Sequence, residues 1–139
     1  MSDGTERWST DELRAHQADQ TPEFDHQEQI IRWAQARSTE CEELELLHAV
    51  PNRHHPGARA EPGILAGIPD LFLPVPLVGP AGDVMHHGLY IELKRPSGSL
   101  SAAQKDMIPR LRGMGYRVQV CYGADEAISE IARYVSIQE

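Results

Sequence analysis

Two short stretches near the middle of the chain combine a dense apolar content with charged residues at alternate positions. They run over 67–73 and 88–95, and glycine, proline or both mark their ends. This composition predicts two β-strands. Because neighbouring side chains of a strand point to opposite faces, one face of the second strand carries Glu92 and Lys94 while the other is apolar. The first strand places Asp70 on the same face as Phe72.

Three charged side chains on one face of a sheet are costly to remove from water. If the two strands pair, Asp70 lies beside Glu92, and Lys94 follows along the same face. A divalent cation between the carboxylates would supply the positive charge that the pair lacks. The alternative interpretation is an ion-pair set on a solvent-facing sheet, with Asp70 in a turn after Pro69.

The rest of the chain alternates between helical and extended patterns. The order αβββαβα predicts an α/β (α+β) fold, with a mixed sheet of about four strands flanked by helices. Three antiparallel strands precede a helical crossover to the fourth. The predicted elements are a helix over 25–37, strands over 44–50, 67–73 and 88–95, a helix over 101–113, a strand over 116–122 and a helix over 124–135. Residues 74–82, with three prolines and two glycines, are predicted to connect two strands.

The length of 139 residues predicts a single folded domain. We assign it to residues 24–139 and interpret residues 1–23 as an acidic, mobile tail with a short helix near 10–18. No apolar run approaches the ~18 residues of a membrane span, and no signal-peptide pattern is present. We therefore expect a cytoplasmic protein with no membrane segment, in which Cys41 and Cys121 are free thiols.

The distribution of charge changes what the net charge implies. A net charge of −8 argues against a nucleic-acid partner. Residues 1–47, however, hold twelve acidic residues and four arginines, so that the remainder of the chain is neutral. Between residues 86 and 117 there are six basic residues and two acidic ones. This segment is compatible with a locally basic surface, although a solvated mixed-charge face has a similar pattern.

Five segments that occur in order along the chain resemble the VRR-NUC branch of the PD-(D/E)XK nuclease superfamily, in its short stand-alone form. They are Pro51-Asn52, Ala66 to Leu71, Ile91 to Pro96, Leu100-Ser101 with Gln104, and Gly115-Tyr116. Within them, Pro69-Asp70 followed by Glu92-Leu93-Lys94 matches the superfamily signature. The resemblance spans roughly residues 25–135 and implies a PD-(D/E)XK restriction-endonuclease-like core.

The resemblance also implies a metal site. Asp70, Glu92 and the main-chain carbonyl of Leu93 would hold Mg²⁺ or Mn²⁺, hard cations that favour oxygen ligands. Lys94 would position the attacking water or stabilise the charge that develops on the phosphoryl group. By the same resemblance, the products would carry 5′-phosphate and 3′-hydroxyl ends.

A glutamate from the first helix completes the metal site in the family, and we assign this role to Glu28. Glu23 and Asp25 are close enough in sequence to be alternatives. The competing interpretation of Glu28 is an acidic residue near the helix start that complements the helix dipole.

Gln104 has two interpretations. Ser101 and Gln104 have the spacing of a capping box, in which each residue satisfies a main-chain N–H of the other. The resemblance instead places Gln104 beside Lys94 in the active site.

Contacts with nucleic acid are assigned to polar and basic residues around the site. These residues are Asn52, Arg53, Arg59, Arg95 and Lys105. The first three lie in a loop, and the segment between this loop and the Asp70 strand is shorter than in many family members and contains Glu61. The arginines of the loop could equally be solvated cations. The histidine pairs 54–55 and 86–87 lack the spacing of a structural zinc site.

The resemblance implies a metal-dependent DNA endonuclease that acts on branched DNA such as four-way (Holliday) junctions, in the form of a homodimer. A dimer suits this task because two symmetry-related sites can cut two strands. The alternatives are a non-catalytic nucleic-acid-binding module with the same fold, and a nuclease that prefers flaps, single strands or RNA.

Overall fold

Helices and strands alternate along the chain in the computed structural model, which describes residues 9–20, 23–51 and 62–138. The helices are α1 (Thr10–Gln20), α2 (Glu23–Arg37), α3 (Ala102–Gly113) and α4 (Ala124–Tyr134), with a 3-10 helix at Glu42–Leu46. The strands are β1 (His48–Ala49), β2 (Leu71–Leu73), β3 (Leu77–Val78), β4 (Val84–His86), β5 (Leu89–Lys94) and β6 (Arg117–Tyr122). None of the helices in these ranges combines the length and apolar content that crossing a membrane would require.

Four of the strands form the central sheet, in the order β1-β2-β5-β6. The β1–β2 and β2–β5 pairs are antiparallel, and β6 joins β5 in parallel after the α3 crossover. The predicted mixed sheet of four strands is therefore confirmed. In the β2–β5 pair Leu71 lies opposite Ile91, and this register brings the charged positions of the two strands together.

One face of the sheet is the main hydrophobic core. Leu71, Leu73, Leu89 and Ile91 are completely buried on this face and belong to one cluster with residues of α2 and α4. The helices contribute residues three or four positions apart, which is the spacing of one helical face. Burying the apolar face in this way leaves the opposite face, with Asp70 and Glu92, for α3.

The strand predicted over 44–50 is wrong in its first half. Cys41, Leu44 and Leu47 are all buried, and their spacing of three residues is that of a 3-10 helix. Accordingly, Leu44 N–H donates to the carbonyl of Cys41 and Leu47 N–H to that of Leu44. Strand β1 begins only at His48.

The connection predicted over 74–82 contains an additional strand. β3 pairs with β4 in a two-stranded antiparallel sheet, and the turn between them is closed by a 2.8 Å bond from Gly79 N–H to the carbonyl of Asp83. Both strands are too short to show a periodic pattern, which is why the sequence did not reveal the hairpin.

Helix α1 lies within the segment that we interpret as an acidic tail, close to the short helix predicted there. A capping box begins it: Ser9 N–H donates to Oε2 of Glu12 at 2.7 Å, and Glu12 N–H donates to Oγ of Ser9 at 3.1 Å. The domain boundary near residue 23 stays a prediction.

Candidate active site

Asp70 and Glu92 face each other across neighbouring strands. The β2–β5 register, continued one residue beyond Leu71, places Asp70 opposite Glu92. Oδ2 of Asp70 also accepts a 2.7 Å hydrogen bond from the main-chain N–H of Leu93. The structure thus brings together the two carboxylates that the strand pattern placed side by side.

Glu92 is almost fully buried, with 1 % of its surface exposed. Its Oε1 accepts a 2.8 Å hydrogen bond from Nε2 of Gln104 and lies 3.6 Å from Nζ of Lys94. Its Oε2 is also buried, yet it has no hydrogen-bond partner among the described residues. An unpartnered buried carboxylate oxygen is unfavourable unless a ligand satisfies it.

Burial is the main reason why the pKa of Glu92 is raised to about 8. The neighbouring carboxylate of Asp70 raises the pKa further, and the Lys94 ammonium opposes both effects. At neutral pH and without a cation, the carboxyl group of Glu92 therefore retains its proton, which a side-chain hydrogen bond shares with Asp70. The unpartnered Oε2 is that of the ionised carboxylate, which can only accept.

Gln104 fulfils both of the roles that the sequence left open. Its Oε1 accepts a 2.8 Å hydrogen bond from Ser101 N–H, and its own N–H donates to Oγ of Ser101 at 3.2 Å, which completes the capping box of α3. The same side chain donates from Nε2 to Glu92. The two interpretations are compatible because the amide has both an acceptor and a donor.

The main-chain carbonyl of Leu93 is well placed to act as a further oxygen ligand. The β2–β5 ladder ends at the Leu71–Ile91 pair, so Leu93 lies two residues beyond the part of β5 that pairs with β2. Leu93 N–H points toward β2, because it donates to Asp70. The carbonyl of the same residue points to the same side of the strand.

This set of donors fits a hard divalent cation. Mg²⁺ is commonly held by one or two carboxylates while it keeps several waters. Asp70, Glu92 through its unpartnered Oε2, and the Leu93 carbonyl supply such oxygens. Within the described ranges, no three His, Cys, Asp or Glu side chains are grouped so as to hold a metal, so the two carboxylates would bind it with the carbonyl and water.

The structure does not bring Glu28 to this pair. Glu28 is exposed and forms an ion pair with Arg32, with 2.7 Å between Oε1 and Nη2. It is the sixth residue of α2 and so lies beyond the first turn. A favourable interaction with the helix dipole would require an acidic residue within the first turn. Of the alternatives, Asp25 is exposed, and Glu23 is the first residue of α2.

The residues assigned to nucleic-acid contacts divide into two groups. Arg95, directly after β5, and Lys105, in α3, are exposed and therefore accessible to a phosphate backbone. Asn52, Arg53 and Arg59 lie outside the described residues.

A row of aromatic side chains continues the active-site face and was missed by the sequence analysis. His48, Phe72 and Tyr90 are register partners on β1, β2 and β5. Phe72 stacks on Tyr90 with 4.3 Å between ring centroids, and His48 contacts the Phe72 ring edge-on at 5.8 Å. They line a groove of about 420 Å³. The sequence signal for this row is the two-residue spacing of a strand, which places Phe72 on the same face as Asp70 and Tyr90 on the same face as Glu92.

The mixed sheet, with Asp70, Glu92 and Lys94 on adjacent strands, defines a nuclease-like α/β domain. The chain belongs to the VRR-NUC domain family, whose pattern matches residues 9–125. A solved structure described as a VRR_NUC domain protein is similar, with a TM-score of 0.66 and 25 % sequence identity over 86 % of this chain and 92 % of the other. No significant match is found among curated proteins. The resemblance inferred from the motifs is confirmed, and the chain is a nuclease-related module.

Proposed function

We propose that this protein is a divalent-metal-dependent endonuclease that hydrolyses DNA phosphodiester bonds. The observation that carries the proposal is the buried, unpartnered Oε2 of Glu92 opposite Asp70. A purely structural role would not explain why the buried Glu92 lies beside the half-buried Asp70, because each carboxylate raises the cost of ionising the other. A cation ligated by both offsets that cost.

Each residue of the site has a distinct task in this reaction. Asp70, Glu92 and the Leu93 carbonyl would hold Mg²⁺ or Mn²⁺, which supplies Lewis acidity toward the phosphoryl group and its attacking water. Lys94, whose side chain is 13 % exposed, would lie close to the reacting phosphate and can stabilise the negative charge that develops there. Gln104 holds Glu92 through its Nε2 donor.

Branched DNA acted on by a homodimer is our proposal for the substrate and the assembly. It is supported by the VRR-NUC resemblance and by the exposed cations Arg95 and Lys105, which directly follow Lys94 and Gln104 in the sequence. A two-fold dimer would present two equivalent sites to two strands of a junction. The surplus of acidic residues in the first third of the chain would keep non-specific binding weak.

A non-catalytic binding module is the second candidate function. The complete set of Asp70, Glu92 and Lys94 disfavours it, because phosphate binding alone requires cations and not two adjacent carboxylates. A nuclease that prefers flaps, single strands or RNA would use the same site chemistry.

The test is a cleavage assay on matched duplex, single-stranded, flap and four-way-junction DNA, with an RNA strand of the same sequence. Each substrate is incubated with Mg²⁺, Mn²⁺ or EDTA, using wild-type protein and Asp70→Ala. Metal-dependent cutting of the junction, lost in the variant although DNA binding is retained, supports the proposal. Equal cutting of all DNA substrates would retain the chemistry and reject junction selectivity. Binding without cutting in any metal would favour the binding module.

A further inference from the structure

Helices α1 and α3 each begin with a capping box, and the two boxes differ in one chemical group. In α1 the third helical residue is Glu12, whose carboxylate accepts from Ser9 N–H. In α3 the equivalent residue is Gln104, which accepts from Ser101 N–H. A carboxylate offers only acceptors, whereas an amide that uses its oxygen for the cap still has an NH₂ donor to give elsewhere.

The main chain of residue 101 fixes the orientation of this amide. Ser101 N–H can only donate, so the group that faces it at 2.8 Å must be the Gln104 oxygen. Nε2 is then forced to the opposite side, where it lies 2.8 Å from Oε1 of Glu92. Gln104 is 5 % exposed, which leaves little room for the amide to rotate.

The two carboxylate oxygens of Glu92 therefore have different hydrogen-bond partners. Gln104 Nε2 and Lys94 Nζ both approach Oε1, so this oxygen is held by donors. Oε2 receives none among the described residues. The carboxylate therefore presents one defined oxygen toward the position shared with Asp70.

A close backbone contact holds the first turn of α3 in place. Gly67, three residues before Asp70, has a φ of +80°, and a Cβ at this position would clash with the main-chain carbonyl of Ala103. The segment leading to Asp70 thus packs directly on the helix turn that carries Gln104. One turn of helix contacts both of the chain segments that supply the acidic residues.

We propose that Ser101 is a positioning residue for the metal ligand Glu92: its main-chain N–H orients the Gln104 amide so that Glu92 directs Oε2 at the metal. The inference rests on the proposed metal-dependent function and extends it to a residue that contacts neither metal nor substrate. It explains why the third helical residue of α3 is glutamine although glutamate would cap the helix equally well.

The first test is calorimetric titration of the full chain with Mn²⁺, which does not depend on cleavage. Ser101 has a φ of −71°, which proline can adopt, so Ser101→Pro removes the N–H while it preserves this backbone angle. We expect Ser101→Pro to weaken Mn²⁺ binding by at least about tenfold, as for the loss of other groups that orient metal ligands. Ser101→Ala retains the N–H and is expected to cause a smaller loss.

A second variant removes the donor but keeps the cap. Gln104→Glu can still accept from Ser101 N–H, and it places a carboxylate where Nε2 meets Glu92. We expect at least about tenfold weaker Mn²⁺ binding with the helix content of α3 retained. Ser9→Ala is the matched control for Ser101→Ala, because it removes the equivalent hydroxyl cap from α1 and should leave Mn²⁺ affinity unchanged.

The outcomes separate this proposal from the proposed function. Wild-type Mn²⁺ affinity in both Ser101→Pro and Gln104→Glu would overturn the positioning role while leaving the nuclease intact. Tighter binding by Gln104→Glu would also overturn it, because the new carboxylate would then be acting as a ligand. A wild-type chain that binds neither Mn²⁺ nor Mg²⁺ would overturn both proposals. If Ser101→Pro does not fold, Gln104→Glu decides.

Discussion

Gln104, in the first turn of α3, donates a 2.8 Å hydrogen bond from Nε2 to Oε1 of Glu92 in β5. Both side chains are buried, so water competes little for the bond and its contribution is larger than at the surface. The bond joins the start of a helix to the strand that carries Glu92 and Lys94. The capping of α3 and the orientation of a site carboxylate therefore depend on one amide group.

Lys94→Ala should lower the maximal cleavage rate by roughly 10²–10³-fold, the effect of removing one group that stabilises a developing charge. The measurement is the initial rate at saturating Mn²⁺ and DNA. Lys105→Ala provides the contrast: Lys105 is exposed on α3, so its loss should weaken DNA binding with little change in that maximal rate. Equal effects on rate in the two variants would contradict a chemical role for Lys94.

The affinity for the metal should depend on pH through Glu92. Its pKa is raised to about 8 by burial and by Asp70, so a cation has to displace a proton below that pH. We expect the apparent affinity for Mn²⁺ to rise by up to tenfold per pH unit toward about pH 8 and to level off above it. Titration calorimetry at several pH values measures this, and a flat profile between pH 6 and 8 would contradict a proton on Glu92.

The stability of the metal-free protein should change with pH in the opposite direction. The folded pKa of Glu92, about 8, lies above the ordinary value of 4.5, so the folded state binds the proton more tightly than the unfolded state. The resulting stabilisation is complete below pH 4.5 and is lost as the pH rises toward 8. In EDTA, the wild-type Tm should therefore fall relative to that of Glu92→Gln, which cannot ionise. If Tm changes with pH in the same way in the wild type and in Glu92→Gln, the raised pKa of Glu92 is refuted.

Gly67→Ala should destabilise the protein more than the same change at Gly63. Both glycines have positive φ values, +80° and +87°, but only Gly67 lies against another segment, the carbonyl of Ala103. Adopting positive φ costs an alanine about 1–2 kcal/mol at either site, and the clash adds to this at residue 67. Urea unfolding compares the two variants. We also expect only Gly67→Ala to weaken Mn²⁺ binding, since it displaces the first turn of α3.

Glu28→Gln should leave the cleavage rate close to that of the wild type, because its carboxylate pairs with Arg32 at the surface and the loss of an exposed ion pair costs at most about 1 kcal/mol of folding stability. The side chain is exposed and paired with Arg32. Arg32→Gln removes the same ion pair from the other side and should behave alike in a cleavage assay. A large loss in Glu28→Gln alone would restore the metal-site role that the sequence suggested.

The sequence alone determined the features that depend on local geometry. The two-residue period of a strand placed Asp70, Glu92 and Lys94 on one face, and the antiparallel pairing of apolar strands fixed their proximity. Likewise, the spacing of Ser101 and Gln104 specified the capping box that the structure contains.

Where the local sequence pattern allowed more than one arrangement, the tertiary structure decided which side chains come into contact. Leu44 and Leu47 pack as a 3-10 helix because the core accepts a three-residue spacing there, although the sequence favoured a strand. Glu28 faces solvent because Ile30 and Ala34 occupy the buried side of α2. The bond from Gln104 to Glu92 depends on the packing of α3 on the sheet. Helix capping fixes only the oxygen of the Gln104 amide, so the partner of its nitrogen is set by the tertiary structure.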